Sequence, residues 1–210
     1  EDEAFCKRFM GQHPVLHVSF HAVAGEDFNA ARAALADAFQ EIAAKNACLL
    51  SSPRLNEEDK SFLRDCSSRK YLRNAENLQD LKGFLKQMLM MMAKHFERQA
   101  VLLIDEYDVP LKHAAVKGYY NAMVDLMRSE LAFLKSGGTL LNNKPAVMKA
   151  ILMGCLRVSK ESIFTGLNNL DVNSVCSENE FLAECIGFTP TDVDRLLACC
   201  GLSSRRGIVK

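Results

Sequence analysis

With 210 residues, 49% hydrophobic and 25% charged, the chain has a globular composition and the length for a sizeable core, which excludes a disordered or low-complexity segment. Lys+Arg and Asp+Glu are both 26, so no net field directs the chain to nucleic acid or to a charged membrane surface. No apolar run reaches the roughly 18 residues of a membrane span, the start Glu1-Asp2-Glu3 is acidic where a signal peptide is basic, and eight scattered cysteines form no C-x-x-C pair; a cytoplasmic protein with reduced thiols and no membrane partner is expected.

Taken in order, Glu3 to Met10 has a short helical pattern ended by Gly11, and Pro14 opens a strand candidate, Val15 to Phe20. His17 and His21 are expected on one face of that strand as packing or rim histidines, since no third metal ligand is near. Glu26 and Asp27 precede an alanine-rich helix to about Lys45, with Phe28, Ala31, Leu35, Ala38, Phe39 and Ile42 at helical spacing. Asn56, with Asp59 three residues on, predicts the N-cap of a short helix through Phe62 and Leu63, and Cys66 to Asn74 reads as a polar surface connection. Glu76 to His95 predicts a long helix, with apolar spacing running from Leu78 to Phe96 and a buried methionine stripe at Met88 to Met92.

The stretch Val101 to Asp108, Val-Leu-Leu-Ile-Asp-Glu-Tyr-Asp, predicts a buried central strand that delivers adjacent acids to the rim of a sheet. In a nucleotide-hydrolysing α/β sheet this is the Walker B pattern: Asp105 would hold Mg²⁺, directly or through water, and Glu106 would orient or deprotonate the attacking water. Burying either carboxylate without a partner would be costly, so both are expected at an open, metal-accessible edge. Val109-Pro110 is read as the end of the strand, and Gly118 precedes a helix through Met123, Met127, Leu131 and Leu134. Gly137-Gly138 and Asn142 to Pro145 predict a loop, and Ala146 to Met153 a further strand. The alternation of strands and helices implies a parallel sheet covered on both faces, whose carboxyl ends would put Arg157 on the rim with Asp105 and Glu106. Thr189, Pro190 and Asp192 predict a helix start in a small helical region.

These residues resemble the AAA-ATPase-like family, in which a P-loop ATPase domain often precedes a nuclease-like domain. The likeness rests on Leu103-Ile104-Asp105-Glu106-Tyr107-Asp108, on Gly154-Cys155-Leu156-Arg157 with Lys160 to Asn169, and on Gly187-Phe188-Thr189. It implies Walker B roles for Asp105 and Glu106, a sensing or structural place near nucleotide for Arg157 and the Asn168-Asn169 loop, ATP and Mg²⁺ as cofactors, and a nuclease-like domain or a homo-oligomer as partner. The chain departs from the pattern at Met153, where such families usually carry threonine; a thioether gives a γ-phosphate no donor. No G-x-x-x-x-G-K-[ST] occurs, so the phosphate cradle and its lysine are missing from these residues.

The expected fold is therefore α/β: a parallel-sheet P-loop NTPase core, truncated at both ends, over residues 1–170, and the start of a helical subdomain over 171–210. The non-methionine start and the basic end suggest a piece of a longer chain, with the first strand and the P-loop upstream. The expected function is a partial ATPase domain, inactive alone. The alternatives are a degenerate NTPase fold used as a protein-interaction module and, more remotely, a metal-dependent nuclease using Asp105, Glu106 and Lys112.

Overall fold

The computed structural model describes residues 3–136, 140–141, 144–155, 163–164, 170–174 and 187–208. The chain divides into two compact units, Glu1–Asn169 and Leu170–Lys210.

In the first unit, α1 (Glu3–Phe9) leads to β1 (Val15–Ser19), then to α2 (Phe28–Lys45), α3 (Glu57–Cys66) and α4 (Leu78–Phe96). Next come β2 (Ala100–Asp105), α5 (Val109–Lys117), α6 (Tyr120–Leu131), the two-residue strands β3 (Leu140–Leu141) and β4 (Lys144–Pro145), and β5 (Val147–Leu152). The order in the main sheet is β1-β2-β5, and both pairings are parallel. Val101–Ile104 is thus the middle of the sheet, as its unbroken apolar run requires. Parallel pairing of Ser19 with Asp105 and of Ile104 with Leu152 brings the carboxyl ends of all three strands to one rim.

The helices form where cap chemistry and apolar spacing agree. Asp27 caps α2 by accepting the Ala30 N–H at 2.8 Å, and Asn56 caps α3 by accepting the Asp59 N–H at 2.8 Å. In α4 the stripe Leu81, Leu85, Met88, Met92 is buried, along with Met91, which accounts for most of the methionine run. Phe84 stacks on Phe39 of α2, with ring centroids 4.5 Å apart and planes at 13°, and Phe20 and Phe62 extend this aromatic column from the sheet edge to α3.

Several expectations are corrected. Val109-Pro110 does not end the strand; Pro110 lies in the first turn of α5, where its missing N–H costs no helical bond. The strand stops earlier, at Asp105, because Glu106 has φ 55° and cannot continue the ladder. Among the described residues the sheet is open on one face: β1 alternates exposed and buried, β2 alternates buried and half-buried, and Ile151 of β5, which pairs with the half-buried Leu103, is 41% exposed. Phe96, placed on the buried stripe by spacing, is 48% exposed at the end of its helix. Cys66 to Asn74 is not wholly a surface connection, since Cys66 and Leu72 are buried. The expected loop before β5 contains a small antiparallel ladder between β3 and β4.

The second unit holds α7 (Pro190–Cys199), opened by a capping box in which the Thr189 hydroxyl accepts the Asp192 N–H and the Asp192 carboxylate accepts the Thr189 N–H. The Thr189 hydroxyl, which donates to Asp192 Oδ2 at 2.6 Å, and the Thr189 N–H together hold the Asp192 carboxyl below the usual range.

Candidate functional site

Past the end of β2, Glu106 takes a left-handed backbone conformation that the Asp105 side chain supports. Asp105 Oδ1 accepts the Glu106 N–H at 2.9 Å, and the Glu106 carbonyl accepts the Val109 N–H at 3.1 Å, closing the turn into α5. A glutamate at positive φ is uncommon, and such conformations persist where neighbouring contacts hold them. Here the neighbours are the ends of the flanking strands. On one side the Phe20 N–H donates to the Asp105 carbonyl at 3.0 Å. On the other the Met153 N–H donates to the Ile104 carbonyl at 2.8 Å and the Tyr107 N–H to the Met153 carbonyl at 3.1 Å.

Asp108, the fourth residue of the acidic run, clasps the turn to β5. It is 1% exposed; its Oδ1 accepts the Cys155 N–H at 3.3 Å and its Oδ2 pairs with Lys112 Nζ at 3.1 Å. The hydrogen bond to Asp108 raises the Lys112 pKa, so Lys112 is held as an ammonium engaged with Asp108. Gly154 makes the close approach possible: a Cβ there would lie 2.5 Å from Asp108 Oδ1 and 2.9 Å from a Tyr107 ring carbon. Tyr107 in turn packs edge-on against Phe164.

The third strand end supplies a histidine. His21 lies beyond β1, so it does not share a strand face with His17; His17 is exposed in β1, whereas His21 Nδ1 lies 2.8 Å from Glu106 Oε2. The structure therefore brings together Asp105, Glu106, Asp108 and His21. Arg157 and Asn168 lie outside the described residues. His21 was legible as a rim histidine but its partner, 85 residues away, was not. Asp108 carried a weak signal, as an acid three residues after Asp105 and four before Lys112.

Asp105 and Glu106 are each partly exposed, which suits a hard cation that keeps several waters and takes one or two protein carboxylates. Among the described residues no three His, Cys, Asp or Glu side chains gather as an all-protein metal cage. A magnesium ion shared with phosphate oxygens does not need one. Among the described residues no helix is long and apolar enough to cross a membrane.

Comparison with known proteins adds the family. The chain is 37% identical over 108 residues to an uncharacterized protein in the vnfD 5' region of Azotobacter chroococcum mcd 1; the match covers 48% of this chain and 18% of that relative. No solved structure matches. The AAA-ATPase-like family, described as predicted AAA-ATPases, matches residues 2–164, a span that holds the whole acidic rim. The chain belongs to the AAA-ATPase-like family.

Proposed function

We propose that this chain is part of a P-loop NTPase core and supplies the metal and water side of an ATP-hydrolysing site, the Walker B side. The observation that carries the reading is the delivery of two adjacent, partly exposed carboxylates by the central strand to the carboxyl rim of a parallel sheet, the place where such sheets bind ligands. Asp105 and its shell waters would hold Mg²⁺, which when bound would neutralise charge on the phosphates. Glu106 would accept a proton from, or orient, the attacking water. Asp108 acts one step back, fixing the turn that carries both acids through the Cys155 N–H and Lys112. In this reading Arg157 stabilises charge near the phosphates and Asn168 contacts nucleotide, while the phosphate cradle comes from elsewhere in the full-length protein. The two regions, 1–170 and 171–210, act as core and start of a helical subdomain. A homo-oligomer and a nuclease-like domain in the same parent chain are the proposed partners.

The protein-interaction reading is favoured by Met153, which stands at the tip of β5 and offers no donor to a phosphate. Titration calorimetry with Mg²⁺-ATP separates the two. It is applied to these 210 residues and to the full-length product of the gene, with Glu106→Gln in the latter. The expected outcome is binding by the full-length protein only, with Glu106→Gln retaining affinity and losing turnover by about a hundredfold or more. Absence of binding to the full-length protein overturns the ATPase reading in favour of the interaction module.

A further inference from the structure

Beneath the acidic rim, Glu130 of α6 is 3% exposed and its two carboxyl oxygens are served unequally: Oε2 accepts the Leu85 N–H of α4 at 3.3 Å, whereas Oε1 has no partner among the described residues. The side chain borders a void of about 10 Å³ whose other walls include Phe20, Leu35, Pro110, Met123 and Met127. Among the described residues, no titratable or charged side chain faces it from α2, α4, α5, α6 or the chain that follows β1. Two of these walls lie next to the rim. The Phe20 N–H donates to the Asp105 carbonyl at 3.0 Å, and Pro110 follows Val109, whose N–H closes the turn on the Glu106 carbonyl at 3.1 Å. The void therefore lies between a buried carboxyl group and residues that flank the acidic turn.

The size of the void decides what the carboxyl group can do there. A neutral acid fits: burial holds the proton on, against the pull of the Leu85 and Phe84 N–H groups. An ionised carboxylate has about four lone-pair sites to fill, and the amides of α4 serve one oxygen. A water needs roughly 10–15 Å³ of such space, so the void takes one at most and cannot hydrate a charge. Ionisation must therefore move a wall. Leu35, Met123 and Met127 sit inside helices, whereas Phe20 is the residue after β1 and Pro110 stands in the first turn of α5. Element ends open at lower free energy than helix interiors, so the rim side yields first.

We propose that Glu130 is a proton-operated latch on the acidic rim: its neutral form lets Phe20 and Pro110 close over the void, and its ionised form draws water to Oε1 and releases them. The latch acts on the turn whether or not nucleotide binds there, so it goes beyond the ATPase reading and does not rest on it. Each opening releases one proton. Opening is therefore favoured about tenfold more for every unit of pH above the ordinary carboxylate range, until the closed form itself ionises.

The test is native-state hydrogen exchange on the full-length gene product from about pH 6 to about pH 9, read as protection factors at the Phe20, Val109 and Leu85 amides. In the wild type, Phe20 and Val109 are expected to lose protection about tenfold per pH unit and to stay at least about tenfold less protected than Leu85, which lies inside α4. In Glu130→Gln that pH dependence is expected to vanish; Glu130→Met, uncharged and of similar length, takes its place if the amide variant does not fold. Protection at Phe20 that is independent of pH in the wild type overturns the latch, as does the same slope in the uncharged variant. Equal protection at Phe20 and Leu85 across the range also overturns it, since only global unfolding would then sense the proton.

Discussion

The carboxyl rim of β2 and the helical core beneath the sheet both hold acids, and they treat them differently. On the rim, Asp105 and Glu106 stay partly in water and are tied down by backbone N–H groups and a histidine. In the core, Asp59 is buried in the first turn of α3 but meets Lys94 Nζ at 2.7 Å and a Gln87 amide at 3.4 Å. Glu130 of α6 meets no cation among the described residues. Its Oε2 accepts the Leu85 N–H at 3.3 Å, its Oε1 has no partner among the described residues, and its surroundings include Phe20, Leu35, Met123 and Met127 around a void of about 10 Å³. Burial raises its pKa well above the ordinary carboxylate range against the pull of the Leu85 and Phe84 N–H groups. The contrast shows what a rim provides: solvent and aligned amides let a carboxylate keep its place without a buried cation, whereas the core must either pair the charge or neutralise it.

Damage to the core that supports the rim carries the largest expected effect. Phe84→Ala deletes a fully buried ring stacked on Phe39 and tilted against Phe62 and is expected to cost about 3–5 kcal/mol, read from the denaturant midpoint at constant m-value. A cost under about 1 kcal/mol would mean that the aromatic column is not the main support.

Gly154→Ala acts on the rim itself. The added Cβ must displace the buried Asp108 carboxylate and the Tyr107 ring, so a loss of about 1–3 kcal/mol is expected, with weakened Mg²⁺-ATP binding in the full-length protein. Wild-type stability and binding together would show that the clasp to β5 does not hold the turn.

Glu130→Gln sharpens the difference with the smallest change. The folded state keeps a proton that the unfolded chain releases as pH rises through the carboxylate range, so Glu130 costs the wild type increasing stability from acid toward neutral pH, levelling once the folded group ionises. The amide has no proton to lose. Its Tm relative to wild type is therefore expected to be higher at pH 8 than at pH 4, by a few degrees in thermal denaturation. A pH-independent difference would mean that Glu130 is ionised in the fold.

Much of the fold was legible because it is written in local patterns. Val101–Ile104 could only be a buried strand, Asn56 and Thr189 announce helix starts by their side-chain oxygens, and the spacing from Leu78 onward buries one face of α4. The acids at positions 105 and 106 were legible for the same reason, since a strand that ends in carboxylates must put them at an edge. Pro110 misled because proline stops a strand and starts a helix with equal ease, and only the turn at Glu106 decides which.

Local sequence pattern alone thus specified the three main strands, most of the long helices and the pair of acids at the end of the central strand, but neither α5 nor the β3–β4 ladder. Tertiary structure decided their company: Glu106 with His21, Asp108 with the Cys155 N–H, Glu130 with the Leu85 N–H among apolar side chains. Periodicity and capping act over a few residues, whereas these pairings follow from the parallel register of three strands and the packing of α4 against α6, which join residues 45 to 85 positions apart.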